Sequence, residues 1–266
     1  MKGNVFTHFL LTGPKRWRAQ LSNSLRGTAS WRVLRAIYRS CSPVWANSGT
    51  WAVATAVRRR LYRMDPRSYW QLEGGQKYLE DEAFLLGPGS MSEAQGRFLA
   101  GEIEASGATS VLEVGCGYGR MLEELSKSLG SRLFGADFSE SQLVAGRRYL
   151  TAAGIPLVLA DATQGLPFRS STFDLVYTQG CLMHVPPPLD KLFRAELARV
   201  SRRHVVHTEE FTDSVHTFAH EIEGHYRALG YHLVKTMEYP FNPPGQRLTF
   251  QIFEKRVAGV DGPCAS

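Results

Sequence analysis

The sequence predicts an α/β fold with a seven-stranded, mostly parallel sheet, helices on both faces and an antiparallel last strand. Short apolar runs alternate along the chain with segments whose apolar residues recur at helical spacing. The first run, Val111–Val114, leads into three glycines at alternate positions, Gly115, Gly117 and Gly119. Strands that alternate with helices form a parallel sheet through right-handed crossovers. The short link at 240–247 favours a hairpin, so the last strand is expected to run antiparallel.

The strands are predicted at 111–114, 132–138, 156–160, 173–177, 204–208, 232–237 and 248–253. The first helix is predicted to begin with Ser92 as its N-cap, because Gln95 follows three residues later, and to close at Gly107. Further helices are predicted after the glycine loop, at 139–154, at 189–200 and near 216–229.

Charge divides the chain into two parts. Residues 1–64 hold twelve lysines and arginines and not one aspartate or glutamate. The whole chain has 31 basic and 25 acidic residues, so 65–266 holds the other 19 basic residues and all 25 acidic ones. We therefore predict a basic N-terminal extension over 1–64 and a second domain over 65–266, with its core at about 90–255.

The extension is expected to be helical, because Trp31, Leu34, Ile37 and Tyr38 fall at helical spacing with arginines between them. Three interpretations remain open. The helix could lie on an anionic membrane surface, serve as a mitochondrial transit peptide, or pack as a lid over the second domain. Specific nucleic-acid binding is not expected, because the arginines accompany no recognisable module.

Cysteine usage and hydropathy indicate the compartment. Cys41, Cys116, Cys181 and Cys264 are widely spaced and form no Cys-x-x-Cys pair, which predicts neither a disulfide framework nor a metal site. No apolar run reaches the roughly 18 residues of a membrane-spanning helix. A cytoplasmic protein is expected, with peripheral membrane contact or mitochondrial import left open.

The glycine loop has the chemistry of a cofactor-binding turn. Glycine adopts positive φ and lets a ligand touch the backbone, and the helix that follows directs N–H groups towards it. A dinucleotide fingerprint would place its third glycine three residues after the second. Here the glycines are evenly spaced, with Glu113 two residues ahead of Gly115.

This acidic-x-Gly-x-Gly-x-Gly pattern resembles the first motif of the class I S-adenosylmethionine-dependent methyltransferases. The stretches 159–162, 166–168 and 173–176 are similar to that family's third and fourth motifs. The resemblance covers about residues 90–255 and implies a Rossmann-like fold that binds S-adenosyl-L-methionine and methylates a small molecule.

Candidate cofactor-binding residues lie at the ends of the predicted strands. Asp137 lies twenty positions beyond Gly117, where a carboxylate can bind the ribose hydroxyls, although it could also cap the next helix. Asp161 and the Ala162 N–H could bind adenine, or Asp161 could hold a turn. The resemblance implies that Glu113 orients the loop and the cofactor's methionine end. The full predicted set is Glu113, Gly115, Cys116, Gly117, Gly119, Asp137, Phe138, Asp161, Ala162 and Gln179.

A catalytic base is predicted after the fourth or fifth strand. His184 follows the fourth strand at the sheet edge where ligands collect, and could deprotonate a hydroxyl or hold its loop through backbone contacts. Glu209, Glu210, His216 and His220 form a second group, which could instead be solvated residues around a helix start.

Three hypotheses of function follow. The favoured one is methyl transfer to a small molecule, at oxygen in a sugar-like, lipid-linked or secondary-metabolite acceptor, with methylation at nitrogen or carbon as an alternative. A nicotinamide-dependent oxidoreductase is disfavoured by the glycine spacing. A catalytically silent methyltransferase fold that acts as a binding protein is the third. The acceptor, the atom attacked and the oligomeric state do not follow from the sequence.

Overall fold

A computed structural model describes residues 59–60, 62–63, 65–150, 154–242 and 247–256. The chain divides into two compact units, residues 1–68 and 69–266. The helix predicted around Trp31 lies outside the described residues, so the role of the basic extension stays a prediction.

The second unit contains one seven-stranded sheet. Its strands are β1 (Ser110–Val114), β2 (Arg132–Asp137), β3 (Leu157–Leu159), β4 (Phe173–Gln179), β5 (Ser201–Glu209), β6 (Tyr231–Glu238) and β7 (Thr249–Lys255). The helices are α1 (Pro66–Glu73), which crosses the unit boundary, α2 (Gln76–Asp81), α3 (Met91–Ser106), α4 (Arg120–Ser126), α5 (Glu140–Tyr149), α6 (Leu189–Val200) and α7 (Glu223–Ala228). Short 3-10 turns cover Ala83–Leu85 and Leu182–His184.

The strand order is β3-β2-β1-β4-β5-β7-β6. Strands β1 to β5 pair in parallel, whereas β7 pairs antiparallel with both β5 and β6. The order reverses between β1 and β4, where open α/β sheets bind their ligands. The predicted Rossmann-like sheet with an antiparallel last strand is confirmed.

Two buried clusters cover the two faces of the sheet. One face packs against α3, α4 and α5 through Leu99, Leu122 and Leu143, which are all at most 2% exposed. The other face packs against α6 and α7 through Leu197 and Tyr226, both fully buried. Helices on both faces bury the central strands, and β1 is buried along its whole length.

The predicted start of α3 was wrong by two residues. Ser90, in extended conformation, is the N-cap, and its hydroxyl accepts a hydrogen bond from the Glu93 backbone N–H at 3.3 Å. Ser92 lies one residue inside the helix and is fully buried. The predicted end is confirmed, because Gly107 adopts the left-handed conformation with φ of 67°.

The helix predicted near 216–229 was also wrong over most of its length, since only α7 is helical there. In residues 212–217, which precede α7, side-chain hydrogen bonds stabilise a turn instead of a helix. The Ser214 hydroxyl accepts from the backbone N–H groups of His216 and Thr217, and the Thr217 hydroxyl donates to the Thr212 carbonyl. Such local bonds compete with the helical pattern, which the apolar spacing alone does not reveal.

Within the described residues, no helix is long and apolar enough to cross a membrane.

The aromatic packing between β7 and α7 gives a test of the fold. Phe253 is fully buried and its ring stacks on Tyr226 at 4.5 Å. We expect Phe253→Ala to lower the free energy of unfolding by about 3–5 kcal/mol, because a core cavity forms. Phe84, 74% exposed, is the matched control, and Phe84→Ala should change stability by at most about 0.5 kcal/mol. Denaturant unfolding measures both, and equal effects would contradict the assigned core.

Candidate functional site

The carboxyl ends of the central strands lie side by side. Glu113 of β1 pairs with Gly135 of β2 and with Tyr177 of β4, and Asp137 pairs with Leu159 of β3. The residues that follow each strand therefore meet along one edge. This register brings the predicted residues at the ends of β1, β2, β3 and β4 to that edge.

The glycine loop crosses the end of β2. The backbone N–H groups of Gly115 and Cys116 both donate to the Ala136 carbonyl, at 2.8 and 3.2 Å. Gly115, Gly117 and Gly119 have φ of 77°, 55° and 87°, a region that other residues rarely adopt. Helix α4 begins directly after Gly119.

The three glycines differ in what surrounds them. A Cβ on Gly115 would lie 2.1 Å from the Cys181 Sγ, and one on Gly119 would lie 2.5 Å from Leu150. These two positions exclude side chains by packing within the protein. At Gly117 no atom lies closer than 3.7 Å to the added Cβ, so only the positive φ requires glycine there. The Gly117 backbone is thus the part of the loop with room beside it.

Asp137 ties the loop to β2. Its Oδ2 accepts from the Gly117 N–H and its Oδ1 from the Ser139 N–H, both at 2.8 Å, and the Phe138 N–H also bonds to the carboxylate. Burial raises the pKa of Asp137 to about 6 against the lowering effect of these bonds. A carboxylate offers about four acceptor positions, so three N–H groups leave about one for a ligand.

Glu113 lies buried beneath the loop. Its Oε2 accepts from the Tyr177 hydroxyl at 2.8 Å. Burial raises the pKa of Glu113 to about 8, although the Tyr177 bond and the Arg120 charge oppose the rise. At neutral pH this side chain is therefore mainly a neutral acid that braces β1 against β4.

Asp161 holds the turn after β3. Its Oδ1 accepts from the Thr163 N–H and hydroxyl, at 2.9 and 2.7 Å. The turn role left open by the sequence is therefore present, and the adenine contact stays a prediction. Ala162 is buried beside β2, next to this turn.

A polar cluster that the sequence analysis missed lies beside Gln179. Arg120 Nη1 donates to the Ser92 hydroxyl at 2.9 Å and to Gln95 Oε1 at 2.7 Å. Gln179 Nε2 donates to the same Gln95 oxygen at 3.1 Å. The sequence signals were Arg120 directly after the third glycine and polar residues inside the apolar pattern of α3.

His184 is held in one tautomer. Its Nδ1 lies 2.8 Å from the His216 carbonyl, which can only accept, so Nδ1 carries the proton and Nε2 is the acceptor nitrogen. The Trp70 ring lies 4.7 Å from the imidazole and the Tyr69 ring stacks on His216 at 5.5 Å. Burial lowers the pKa of His184 to about 4.

Glu209 is fully buried and holds the loop after β4 in place by accepting from its backbone N–H groups, contrary to the expectation that it is a base or a solvated residue. Its Oε1 accepts from the Cys181 N–H and its Oε2 from the Met183 N–H, both at 3.1 Å. Oε1 also accepts from the Thr178 hydroxyl at 2.7 Å. The carboxylate thus fixes the segment that ends in His184.

The Thr178 bond belongs to a buried chain of hydrogen bonds that sequence patterns do not reveal. Since Thr178 donates its proton to Glu209, it accepts from His207 Nδ1 at 2.7 Å. His207 Nε2 then accepts from the Tyr226 hydroxyl at 2.8 Å. Burial lowers the pKa of His207 to about 3, so the ring stays neutral and the chain keeps one direction.

The remaining base candidates are dispersed. Glu210 accepts from the Thr212 hydroxyl at 2.6 Å. His220 donates from Nε2 to the Leu182 carbonyl at 3.1 Å, and burial lowers its pKa. His216 contributes its carbonyl to His184. The described residues contain no group of three side chains that could hold a metal ion.

The first site prediction concerns Glu209. Glu209→Gln places an amide NH₂ against backbone N–H groups, so we expect the free energy of unfolding to fall by about 1–3 kcal/mol. Glu210→Gln is the matched control and should cost at most about 0.5 kcal/mol. Denaturant unfolding compares the two. Equal stability of both variants would contradict the conclusion that Glu209 holds this loop in place.

The second concerns the protonation of His184. With a folded pKa of about 4, below the unfolded value of about 6.5, its contribution to stability is full above pH 6.5 and is lost as pH falls towards 4. Nitrogen NMR should show a neutral ring protonated at Nδ1 at pH 7. A ring that titrates near pH 6.5 would contradict its burial.

Comparisons with known proteins agree with this geometry. Residues 111–204 match the family model described as a methyltransferase domain. Methyltransferase GfsG of Streptomyces halstedii is 33% identical over 104 residues, which cover 38% of this chain and 36% of that protein. Cycloartenol-C-24-methyltransferase 1 of rice (Oryza sativa subsp. japonica) is 33% identical over 96 residues, 35% of this chain and 28% of that protein. The chain thus spans about a third of the length of these relatives.

A solved structure extends the comparison to the fold. Magnesium protoporphyrin IX methyltransferase from Synechocystis PCC 6803, with bound SAH (S-adenosylhomocysteine), superimposes with a TM-score of 0.58 at 15% identity. The match covers 71% of this chain and all of that one. The family match over the glycine loop and strand ends identifies residues 111–204 as a methyltransferase domain, and the fold of the chain is similar to that of this solved methyltransferase.

Proposed function

We propose that this protein binds S-adenosylmethionine and transfers its methyl group to an oxygen of a small-molecule acceptor. The observation that carries the proposal is the bond of 2.8 Å between the Gly117 N–H and Asp137, which holds this carboxylate beside the open part of the glycine loop, where we expect it to bind the ribose. Both residues lie inside the segment that matches the methyltransferase family.

The residues present fit a nucleoside better than a dinucleotide. Asp137 can accept from ribose hydroxyls, and Asp161 with the Ala162 N–H lies at the end of the neighbouring strand, where an adenine edge would bind. Pyrophosphate recognition uses a glycine three residues after the second, and Arg120 occupies that position.

S-adenosylmethionine supplies a methyl group already activated by its sulfonium. The protein's task is then to orient the acceptor and exclude water, and orientation can supply on the order of 7–11 kcal/mol. Residues Tyr69, Trp70 and Tyr78 form an aromatic cover, with Trp70 in edge contact with Tyr78 at 5.6 Å and close to His184.

His184 supports an oxygen acceptor. The bond from Nδ1 to the His216 carbonyl fixes the ring on the loop after β4, at the sheet edge where we expect the acceptor hydroxyl to lie. A pKa of about 4 makes it a weak base, so its main contribution is orientation. Carbon methylation is the second candidate, because the rice relative is named for it. Sugar-like, lipid-linked and other secondary metabolites remain the proposed acceptor classes, and the cytoplasm remains the proposed compartment.

Calorimetry tests the cofactor. We expect S-adenosylmethionine and SAH to bind and NADH not to bind. Asp137→Asn should weaken SAH binding by about 1.5–3 kcal/mol, the range for bonds to a charged group. Wild-type affinity should fall as pH drops below about 6, because protonation of Asp137 removes an acceptor that the ribose hydroxyls need.

The matched control is Asp174→Asn at the start of β4. Asp174 accepts from Thr109 and Ser110 at the opposite end of the sheet, so its loss should affect stability and leave SAH affinity unchanged. Binding of NADH without SAH would overturn the proposed function. SAH affinity that is equal in Asp137→Asn and wild type would move the ribose contact elsewhere.

A further inference from the structure

His220 is a buried histidine that the proposed reaction does not explain. It lies in the segment 211–222 between β5 and α7, and its side chain is only 1% exposed. Its Nε2 lies 3.1 Å from the carbonyl of Leu182, the first residue of the 3-10 turn that ends in His184. A carbonyl can only accept, so Nε2 carries the ring proton. The ring therefore ties this segment to the turn that carries His184.

The segment runs along the turn in the opposite direction. Every second residue of the segment bonds to the next residue of the turn. The bonds join His216 to His184, Phe218 to Met183 and His220 to Leu182, at 2.8, 2.8 and 3.1 Å. The segment contributes backbone atoms to the first two of these bonds and a side chain to the third. A substitution of His220 can therefore remove one bond while the backbone still supplies the other two.

Helix α6 anchors the segment beside this contact. Arg194 is 1% exposed, and its Nη1 donates to the Glu221 carbonyl at 2.6 Å. Its Nη2 donates to Asp190 Oδ2, which also lies 3.4 Å from His220 Nδ1. The ion pair within α6 thus touches the segment at two consecutive residues, 220 and 221. Buried charged groups that are paired in this way restrict the positions open to their neighbours.

The same surroundings keep the His220 ring neutral. Its Nδ1 makes no hydrogen bond with the residues that the structure describes. Burial lowers the pKa of His220, and the positive charge of Arg194 adds to this effect, whereas Asp190 opposes it. A neutral ring has one N–H group, and the Leu182 carbonyl requires it on Nε2. His220 is thus a fixed donor that points at the turn.

His220 and Glu209 hold different parts of the loop after β4. Glu209 accepts from the N–H groups of Cys181 and Met183, and the Cys181 sulfur packs against Gly115 of the glycine loop. The described partners of His220 instead lie in the turn, in α6 and at Phe218, outside the predicted cofactor-binding set. Loss of His220 should therefore disturb the turn without disturbing the cofactor loop.

Resting on the proposed function, in which His184 lies beside the acceptor, we propose that His220 is a positioning residue for the methyl transfer. Its Nε2 proton holds the Leu182 carbonyl, and so sets where the turn presents the His184 ring. His220 acts through His184 and leaves cofactor binding to the glycine loop and Asp137. Such positioning matters for the rate, because a displacement of about 1 Å at a reacting site can lower turnover about 100-fold.

The test reads the His184 ring directly by nitrogen NMR on the full chain at pH 7. In the wild type, His184 should be protonated at Nδ1 and His220 at Nε2. In His220→Leu, the two ring nitrogens of His184 should shift towards a common value, because a ring that is no longer held exchanges between its tautomers. His220→Gln should restore the wild-type shifts, because its amide nitrogen can donate to Leu182. Calorimetry should find unchanged SAH affinity in both variants.

Three further variants serve as controls. His220→Asn has a shorter amide that does not reach the Leu182 carbonyl, so it should behave like His220→Leu and replaces that variant if the latter fails to fold. His232→Gln, at a side chain that is 46% exposed, should leave His184 unchanged. Tyr231→Phe loses a buried bond of 3.0 Å to the Ala198 carbonyl, so it should lower the melting temperature without shifting the His184 signals.

Several results would overturn the assignment. They are unchanged His184 shifts in folded His220→Leu or His220→Asn, a His220→Gln variant that fails to restore the shifts, and a wild-type His220 protonated at Nδ1. Equal shifts in Tyr231→Phe, or a parallel loss of SAH affinity in the His220 variants, would show a general effect on the fold. If the wild type does not bind SAH, the proposed function fails, while the His184 shifts still decide whether His220 holds the turn.

Discussion

Buried carboxylates that accept backbone N–H groups hold together the edge on which the site depends. A loop at the end of a parallel sheet leaves N–H groups without the partners that strands and helices supply, and burial makes each unpaired group costly. Asp137 satisfies Gly117, and Glu209 satisfies Cys181 and Met183. These side-chain hydrogen bonds fix the backbone of the loops after β1 and β4, although neither loop forms a regular helix or strand at these bonds.

The two carboxylates answer the same need in different ways. Asp137 accepts from nearby elements only. Its partners are the loop after the adjacent strand β1 and the residues between β2 and the helix α5 that follows it. Glu209 reaches across from β5 to the loop of β4, and its neighbour Thr178 links it to His207. Since His207 is neutral and its ring donates towards Thr178, every bond in that chain has one direction. A network with one direction supports one arrangement of the loop and disfavours the others.

The sequence was most informative where spacing alone decides the structure. Alternating strands and helices predicted the sheet, and Gly115, Gly117 and Gly119 predicted a tight turn between β1 and α4, which the positive φ of all three confirms. The predicted starts of the helices near Ser90 and Ser214 were wrong because of local side-chain hydrogen bonds. A hydroxyl that accepts from backbone N–H groups shifts the start of a helix without changing the apolar pattern. Most of the candidate site residues were predicted because they follow strand ends; the register of the strands places them along one edge, and their roles stay predictions.

The remaining parts of the site depend on contacts between distant segments. Arg120 meets Gln95 of α3, and Glu209 meets a loop that precedes it by more than twenty residues. The spacing of apolar residues along the sequence does not predict such contacts between distant segments. From the sequence, a carboxylate at a strand end could be a catalytic base, a helix cap or a group that holds a loop in place. Only its burial and its hydrogen-bond donors in the structure distinguish these roles.

The aromatic cover has a consequence for how this protein could diversify. Tyr69, Trp70 and Tyr78 precede β1 and lie outside the segment 111–204 that matches the family. Helix α3, which also precedes that segment, contributes Gln95 to the edge of the sheet. The residues proposed to surround the reacting atoms thus lie on a different stretch of the chain from the glycine loop. Substitutions in this early stretch can therefore alter the proposed acceptor site while the residues proposed to bind the cofactor stay as they are.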